Sequence, residues 1–187
     1  MEFCGSQTVS HYYKNSGEKP TESSVRGFFV QLLAGVKFLH ENQVFHRDLK
    51  IENILVTSKK ILKIIDFGLA VTSNELTNLM CGTPAYFSPQ VMSRQLYTPK
   101  AVDIWCLGII LFRLLFQQSP FGGRLDLILE DKLTPEVKQN VIEAKISFPD
   151  VPFSASFRKI VLWILQKSET NRPSIDAIMS HEWMVDC

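Results

Sequence analysis

Two polar loops joined by a pair of short apolar runs constrain this chain more than any other stretch of it. The first loop is His46-Arg47-Asp48-Leu49-Lys50-Ile51-Glu52-Asn53 and the second is Asp66-Phe67-Gly68. Between them lie Ile54-Leu55-Val56 and Ile61-Leu62-Lys63-Ile64-Ile65, on either side of Thr57-Ser58-Lys59-Lys60. Apolar runs this short around a polar turn read as paired strands, and such a hairpin brings both loops to one rim. The loops then present an acid, Asp48, with Lys50 close by, and two hard oxygen side chains, Asn53 and Asp66, of the kind magnesium accepts. A lone His-Arg-Asp is more often an ordinary polar turn. A second acidic loop eighteen residues after Asp48 is what lifts the pattern above that.

These residues resemble the catalytic loop and the metal-binding loop of eukaryotic protein kinases. The resemblance implies that Asp48 orients an attacking hydroxyl and takes its proton, and that Lys50 offsets charge developing on the transferred phosphate. It also implies that Asn53 and Asp66 hold Mg2+ on ATP, while His46 and Phe67 serve as packing. Within the family a lysine at the position of Lys50 marks serine/threonine specificity, so the acceptor is read as a Ser or Thr hydroxyl of a protein substrate. Met1-Glu2-Phe3-Cys4-Gly5 resembles the hinge, with the Glu2 carbonyl and the Cys4 N–H as adenine contacts and Leu55 beneath the ring.

The remaining motifs follow in order. A helix is predicted after Pro20, with Thr21 as N-cap and Val25, Phe28, Phe29, Leu32, Leu33, Val36 and Leu39 on one face, ending near Asn42. The stretch from Tyr13 to Pro20 reads as a polar connector. Leu69 to Leu79 has no clear period and reads as a mobile activation segment. Cys81-Gly82-Thr83-Pro84-Ala85-Tyr86-Phe87-Ser88-Pro89-Gln90 resembles the substrate-docking end of that segment, which implies that Thr83 bonds near Asp48 and Lys50. Two departures stand out. The motif ends in Gln90 where the family has glutamate paired with a late arginine, here read as Arg172; losing one partner of a buried ion pair costs about 3–5 kcal/mol, which an amide oxygen softens. The usual phosphorylated position, two before Cys81, is Leu79, so Arg47 could be served only by a substitute such as Thr77.

Asp103-Ile104-Trp105-Cys106-Leu107-Gly108 resembles the start of the family's central buried helix, whose aspartate caps the catalytic-loop backbone, and the helix is predicted over Ile104 to Gln117. Arg124 to Ala144 reads as one or two amphipathic helices. Phe157, Ile160, Val161, Ile164 and Leu165 form another stripe, and Ser174 to Met184 reads as a last short helix. His11, His40 and His181 read as surface or helix-end residues. Glu52 matches a position that meets a basic substrate residue in some kinases, which leaves a basic substrate motif as a guess.

The fold expected is mainly α, a kinase-like C-lobe with a small β-hairpin sheet at the cleft and the N-terminal β lobe absent. As domains, residues 1–8 are the hinge and 9–187 the C-lobe. Length and a 45% apolar content suit one core. A net charge of +1 offers no field for nucleic acid or an anionic membrane. The stretch from Ile104 to Phe116 is too short to span a bilayer. Cys4, Cys81, Cys106 and Cys187 are scattered and fit reduced thiols in a cytoplasmic or nuclear setting. The expected activity is ATP-dependent phosphorylation of protein Ser/Thr, nearly absent in this chain alone. No Gly-rich loop or strand lysine precedes Met1, so a missing N-lobe, or a partner over the exposed C-lobe face, is expected. The alternative is a non-catalytic kinase-like binding module.

Overall fold

The computed structural model describes residues 7–122 and 133–185. Among these, helices dominate and one small antiparallel sheet stands at an edge. In chain order the elements are β1 (Gln7–Thr8), α1 (Val9–Ser16), α2 (Glu22–Glu41), β2 (Ile54–Val56), β3 (Leu62–Ile64), α3 (Pro89–Met92), α4 (Pro99–Phe116), α5 (Pro135–Ile142), α6 (Ala155–Ile164), α7 (Ile175–Met179) and α8 (Glu182–Val185).

Local chemistry accounts for most boundaries. Thr21 and Ser24 form a reciprocal cap at the start of α2, each side chain accepting from the other's backbone N–H. The apolar stripe foreseen from Val25 to Val36 is buried, and α2 ends at Asn42. The hairpin also forms as read, with Ile54 opposite Ile64 and Val56 opposite Leu62. Strand alternation sends Ile54 and Val56 into the core and leaves Leu55 half-buried on the opposite face. A third strand, β1, pairs with the outer edge of β2.

Helix α4 is the axis of the molecule. From Ala101 to Leu114 every residue is buried, because α2 packs on one side and α6 on the other. Gly108 permits the second contact: a Cβ there would lie 2.7 Å from Leu165 and 2.8 Å from Ile164. Beyond it, Phe112, Phe116, Phe148, Phe153, Phe157 and Trp183 form one connected set of edge and stacked ring contacts.

Three expectations give way. Tyr13 to Ser16 is helical, not connector: α1 runs from an N-cap at Thr8 to a left-handed Gly17, and it is held by Tyr13, which is buried edge-on to Phe28. Its polar tail hid it, since only tertiary packing stabilises so short a helix. The central helix begins at Pro99, not Ile104; proline at the first helical position is a start signal, and Asp103 lies inside the helix. The last helix is two, α7 and α8, broken at Ser180 and His181. Of the segment read as one or two helices from Arg124, α5 accounts for Pro135–Ile142, and residues 124–132 lie outside the described residues.

Glu22 ties the termini of three helices together. It accepts from Ser154 N and Ser154 Oγ, both at 2.6 Å, and from Trp183 Nε1 at 2.7 Å. Burial penalises its charge, but the bonds from Ser154 and Trp183 outweigh that and hold the carboxyl below the usual range. A depressed folded value means stability present above the unfolded value, about 4.3, and lost as pH falls through the folded one. Glu22→Gln is expected to cost about 1–2 kcal/mol at pH 7 in urea unfolding, a difference that shrinks as pH falls below about 4.

Candidate active site

The site begins with one buried carboxylate. Asp103, with no exposed surface, accepts from Arg47 N at 2.8 Å through Oδ1 and from His46 N at 2.9 Å through Oδ2. His40, in the last turn of α2, places Nε2 2.9 Å from the same Oδ2. Arg47 stands in the left-handed region at φ 63°, a conformation that costs about 1–2 kcal/mol and persists only where the surroundings hold it. The paired bonds to Asp103 supply that hold.

The second loop is laced to the first. Ile65 N donates to Asn53 O, and His46 Nε2 donates to Ile65 O, both at 3.0 Å. The opposite ring nitrogen of His46 accepts from Asp48 N at 3.3 Å, which sets the tautomer. Phe67 packs on the His46 ring with centroids 5.0 Å apart. Phe45 and Val71 exchange backbone bonds, and Arg47 Nε donates to Leu69 O at 2.7 Å.

Between these loops the structure assembles Asp48, Lys50 and Thr83. Thr83 Oγ1 donates to Asp48 Oδ1 at 2.7 Å, and Lys50 Nζ donates to Asp48 Oδ2 at 2.7 Å and to Thr83 Oγ1 at 2.8 Å. Thr83 reaches this point because Gly82 passes close: a Cβ there would lie 2.7 Å from Arg47 O, and its φ is 96°. Asn53 is buried, and its amide nitrogen donates to Asp48 O at 3.0 Å, which leaves its oxygen to face another partner. Asp66 stands apart from this cluster of direct bonds. It is exposed, at φ 63°, with Oδ1 accepting from Gly68 N at 3.4 Å.

Among the described residues no three His, Cys, Asp or Glu side chains gather into a metal cage. An amide oxygen and one exposed carboxylate are a donor set that suits magnesium, which keeps most of its waters. Leu55 is placed on the outer face of β2, and Glu2 and Cys4 lie outside the described residues.

Compared with protein-family models, residues 1–184 match the protein kinase domain. The chain belongs to that family. It is similar to the probable serine/threonine-protein kinase CCRP1 of Zea mays, at 35% identity over 98% of this chain and 29% of the maize protein. It is likewise similar to CBL-interacting serine/threonine-protein kinase 13 of Arabidopsis thaliana, at 35% over 87% of this chain and 32% of that protein. Against serine/threonine-protein kinase PLK2 of Mus musculus it is 31% identical over 99% of this chain and 26% of the mouse protein. The chain thus spans about a quarter to a third of these three relatives, and relatives of different kinds stand at near-equal identity, so no subfamily is singled out.

Both departures from the kinase pattern have structural answers. Arg172 reaches Gln90 Oε1 at 2.7 Å and adds bonds to Gln166 O and Ala101 O, each at 3.0 Å. Burial lowers its pKa to about 10, which still leaves it charged at neutral pH. The stretch before Cys81 is held by contacts within this chain. Thr77 and Tyr97 exchange backbone bonds, and Tyr97 OH donates to Leu79 O at 2.5 Å. Thr77 Oγ1 meanwhile accepts from Leu79 N at 3.2 Å, and Arg47 is turned to Leu69.

Residues missed at the sequence level are His40, Tyr97 and Arg113. His40 is a helix-end residue, as read, but a buried one that bears on Asp103. Its i−4 neighbour Val36 is buried too, and that shared face was the available signal. Asp103→Asn replaces one acceptor oxygen by a donor and leaves a loop N–H unpaired. The expected outcome is a loss of about 2–4 kcal/mol in urea unfolding, with faster hydrogen exchange at His46 and Arg47.

Proposed function

We propose that this chain is the helical lobe of a serine/threonine kinase, with residues 1–8 as hinge and 9–187 as C-lobe, which transfers the γ-phosphate of ATP to Ser or Thr hydroxyls of protein substrates. The observation that carries the reading is the triangle of Asp48, Lys50 and Thr83. Asp48 is the group to receive the acceptor's proton, because its carboxylate is the one acid in that triangle. Thr83 and Lys50 hold both of its oxygens, which orients the carboxylate before substrate arrives and lowers the reorganisation the reaction demands. Lys50, spanning Asp48 and Thr83, is placed to offset charge on the transferred group and supports Ser/Thr as the acceptor type.

Asn53 and Asp66 would hold Mg2+, and the bound ion would supply neutralisation of charge on the phosphate oxygens. Leu55 offers an apolar floor for the base, with Glu2 and Cys4 as its backbone partners. Cys81 and Cys106 are free thiols, which supports a reducing cytoplasmic or nuclear location. The residues that usually cover the phosphates belong to a small lobe, so the activity is proposed for this lobe in company with one and as slow for the chain by itself.

The test is transfer of radiolabelled phosphate to a Ser-containing peptide, by the chain alone and fused behind the small lobe of a relative. Asp48→Asn is expected to cut the rate of the fused form about 100- to 10,000-fold. Equal rates for the two would overturn the enzymatic reading and leave a non-catalytic binding module.

A further inference from the structure

Glu52 sits in the single turn Ile51–Asn53, directly between Lys50 and the Asn53 that braces Asp48. Its side chain is 51% exposed. A bare carboxylate at that place would attract a lysine or arginine flanking the acceptor hydroxyl, by charge alone. Here the charge is already met from inside the protein. Arg113 of α4, its side chain only 6% exposed, brings Nη2 to 3.3 Å from Glu52 Oε1. Its Nη1 donates to the Tyr86 phenol oxygen, and its guanidinium lies 4.9 Å from the Tyr86 ring centre.

Tyr86 completes the enclosure. Its oxygen also accepts from Ile51 N at 3.0 Å, and its hydroxyl donates to Glu52 Oε2 at 3.2 Å. Both carboxylate oxygens of Glu52 are therefore engaged by groups of this chain. Burial pushes the Tyr86 phenol up, so it stays protonated and remains a donor. The arrangement is costly for the core: Arg113 is the one charged side chain between Ile104 and Phe116, and its Nε is buried without a partner. Packing alone would be better served by an apolar residue.

Resting on the kinase reading above, we propose that Arg113 determines substrate specificity. It is a built-in countercharge that neutralises Glu52, so the rim beside the acceptor site receives Ser/Thr segments with uncharged flanks and gives no advantage to a basic residue upstream of the hydroxyl. The basic motif guessed from Glu52 in the sequence is replaced by this reading.

The test uses pairs of Ser peptides that differ by Arg or Ala at one position, walked along the residues before the serine. Binding to the 187-residue chain is followed by fluorescence anisotropy, and transfer is followed with the fused form. For the native chain the Arg-to-Ala ratio is expected within about twofold of one at every position. In Arg113→Met, of similar length and apolar, the ratio is expected to rise about three- to fivefold at one or more positions, the upper part of the range a half-exposed ion pair yields. Adding Glu52→Gln should abolish the rise. A folded Arg113→Met with no rise overturns the proposal, and so does a native preference for Arg that Glu52→Gln erases. Should Arg113→Met fail to unfold cooperatively, native and Glu52→Gln decide between them: equal ratios uphold the proposal and a drop overturns it. Because the binding ratios need no chemistry, a chain that binds but never transfers phosphate sinks the enzymatic reading while still judging Arg113. A chain that binds no peptide in any form overturns both.

Discussion

Everything at the cleft hangs from the carboxylate of Asp103. A buried charge is tolerated only when its oxygens are satisfied, and here the donors are the successive backbone N–H groups of His46 and Arg47 together with the ring of His40. The exchange works in both directions. The loop relieves the desolvation of Asp103, and Asp103 fixes Arg47 in a left-handed conformation that a loop would not hold by itself. Since Asp103 belongs to a helix buried continuously from Ala101 to Leu114, the position of Asp48 is set by the core and not by the loop's own preferences.

From that anchor the order spreads through short polar links. His46 and Asn53 carry it to the strand end before Asp66, and Gly82 lets the segment bearing Thr83 approach the loop backbone. Tyr97 then secures the stretch behind Thr83 by its backbone and its phenol. None of these links is large in net energy, about 1 kcal/mol for a typical hydrogen bond. Their value lies in confining groups that must meet within a few tenths of an ångström, which is what charge stabilisation in a cleft requires.

Legibility in the sequence tracked the range of the interactions. The cap at Thr21, the stripe of α2 and the hairpin between the loops were readable because each is set by residues near one another in the chain. The cluster of Asp48, Lys50 and Thr83 was readable only through resemblance, since Thr83 comes from a separate segment and its spacing carries no geometry of its own. Helix α1 was hidden because its anchoring rings, Tyr12 and Tyr13, find their partners on α2. In the sequence Arg113 is one charge inside an apolar run, and nothing local announces that it reaches Tyr86 and Glu52.

Composition and periodicity by themselves determined that this chain builds one helical core with a hairpin presenting two polar loops, while its place among the kinases came from the resemblance of its motifs and the family match. Tertiary structure alone decided which charges face one another. It paired Glu52 with Arg113, Asp103 with the loop backbone, and Tyr97 with Leu79. The physical reason is that local sequence sets torsions and faces, whereas the partner of a buried polar group is chosen by whichever distant donor the packed core leaves within hydrogen-bond reach.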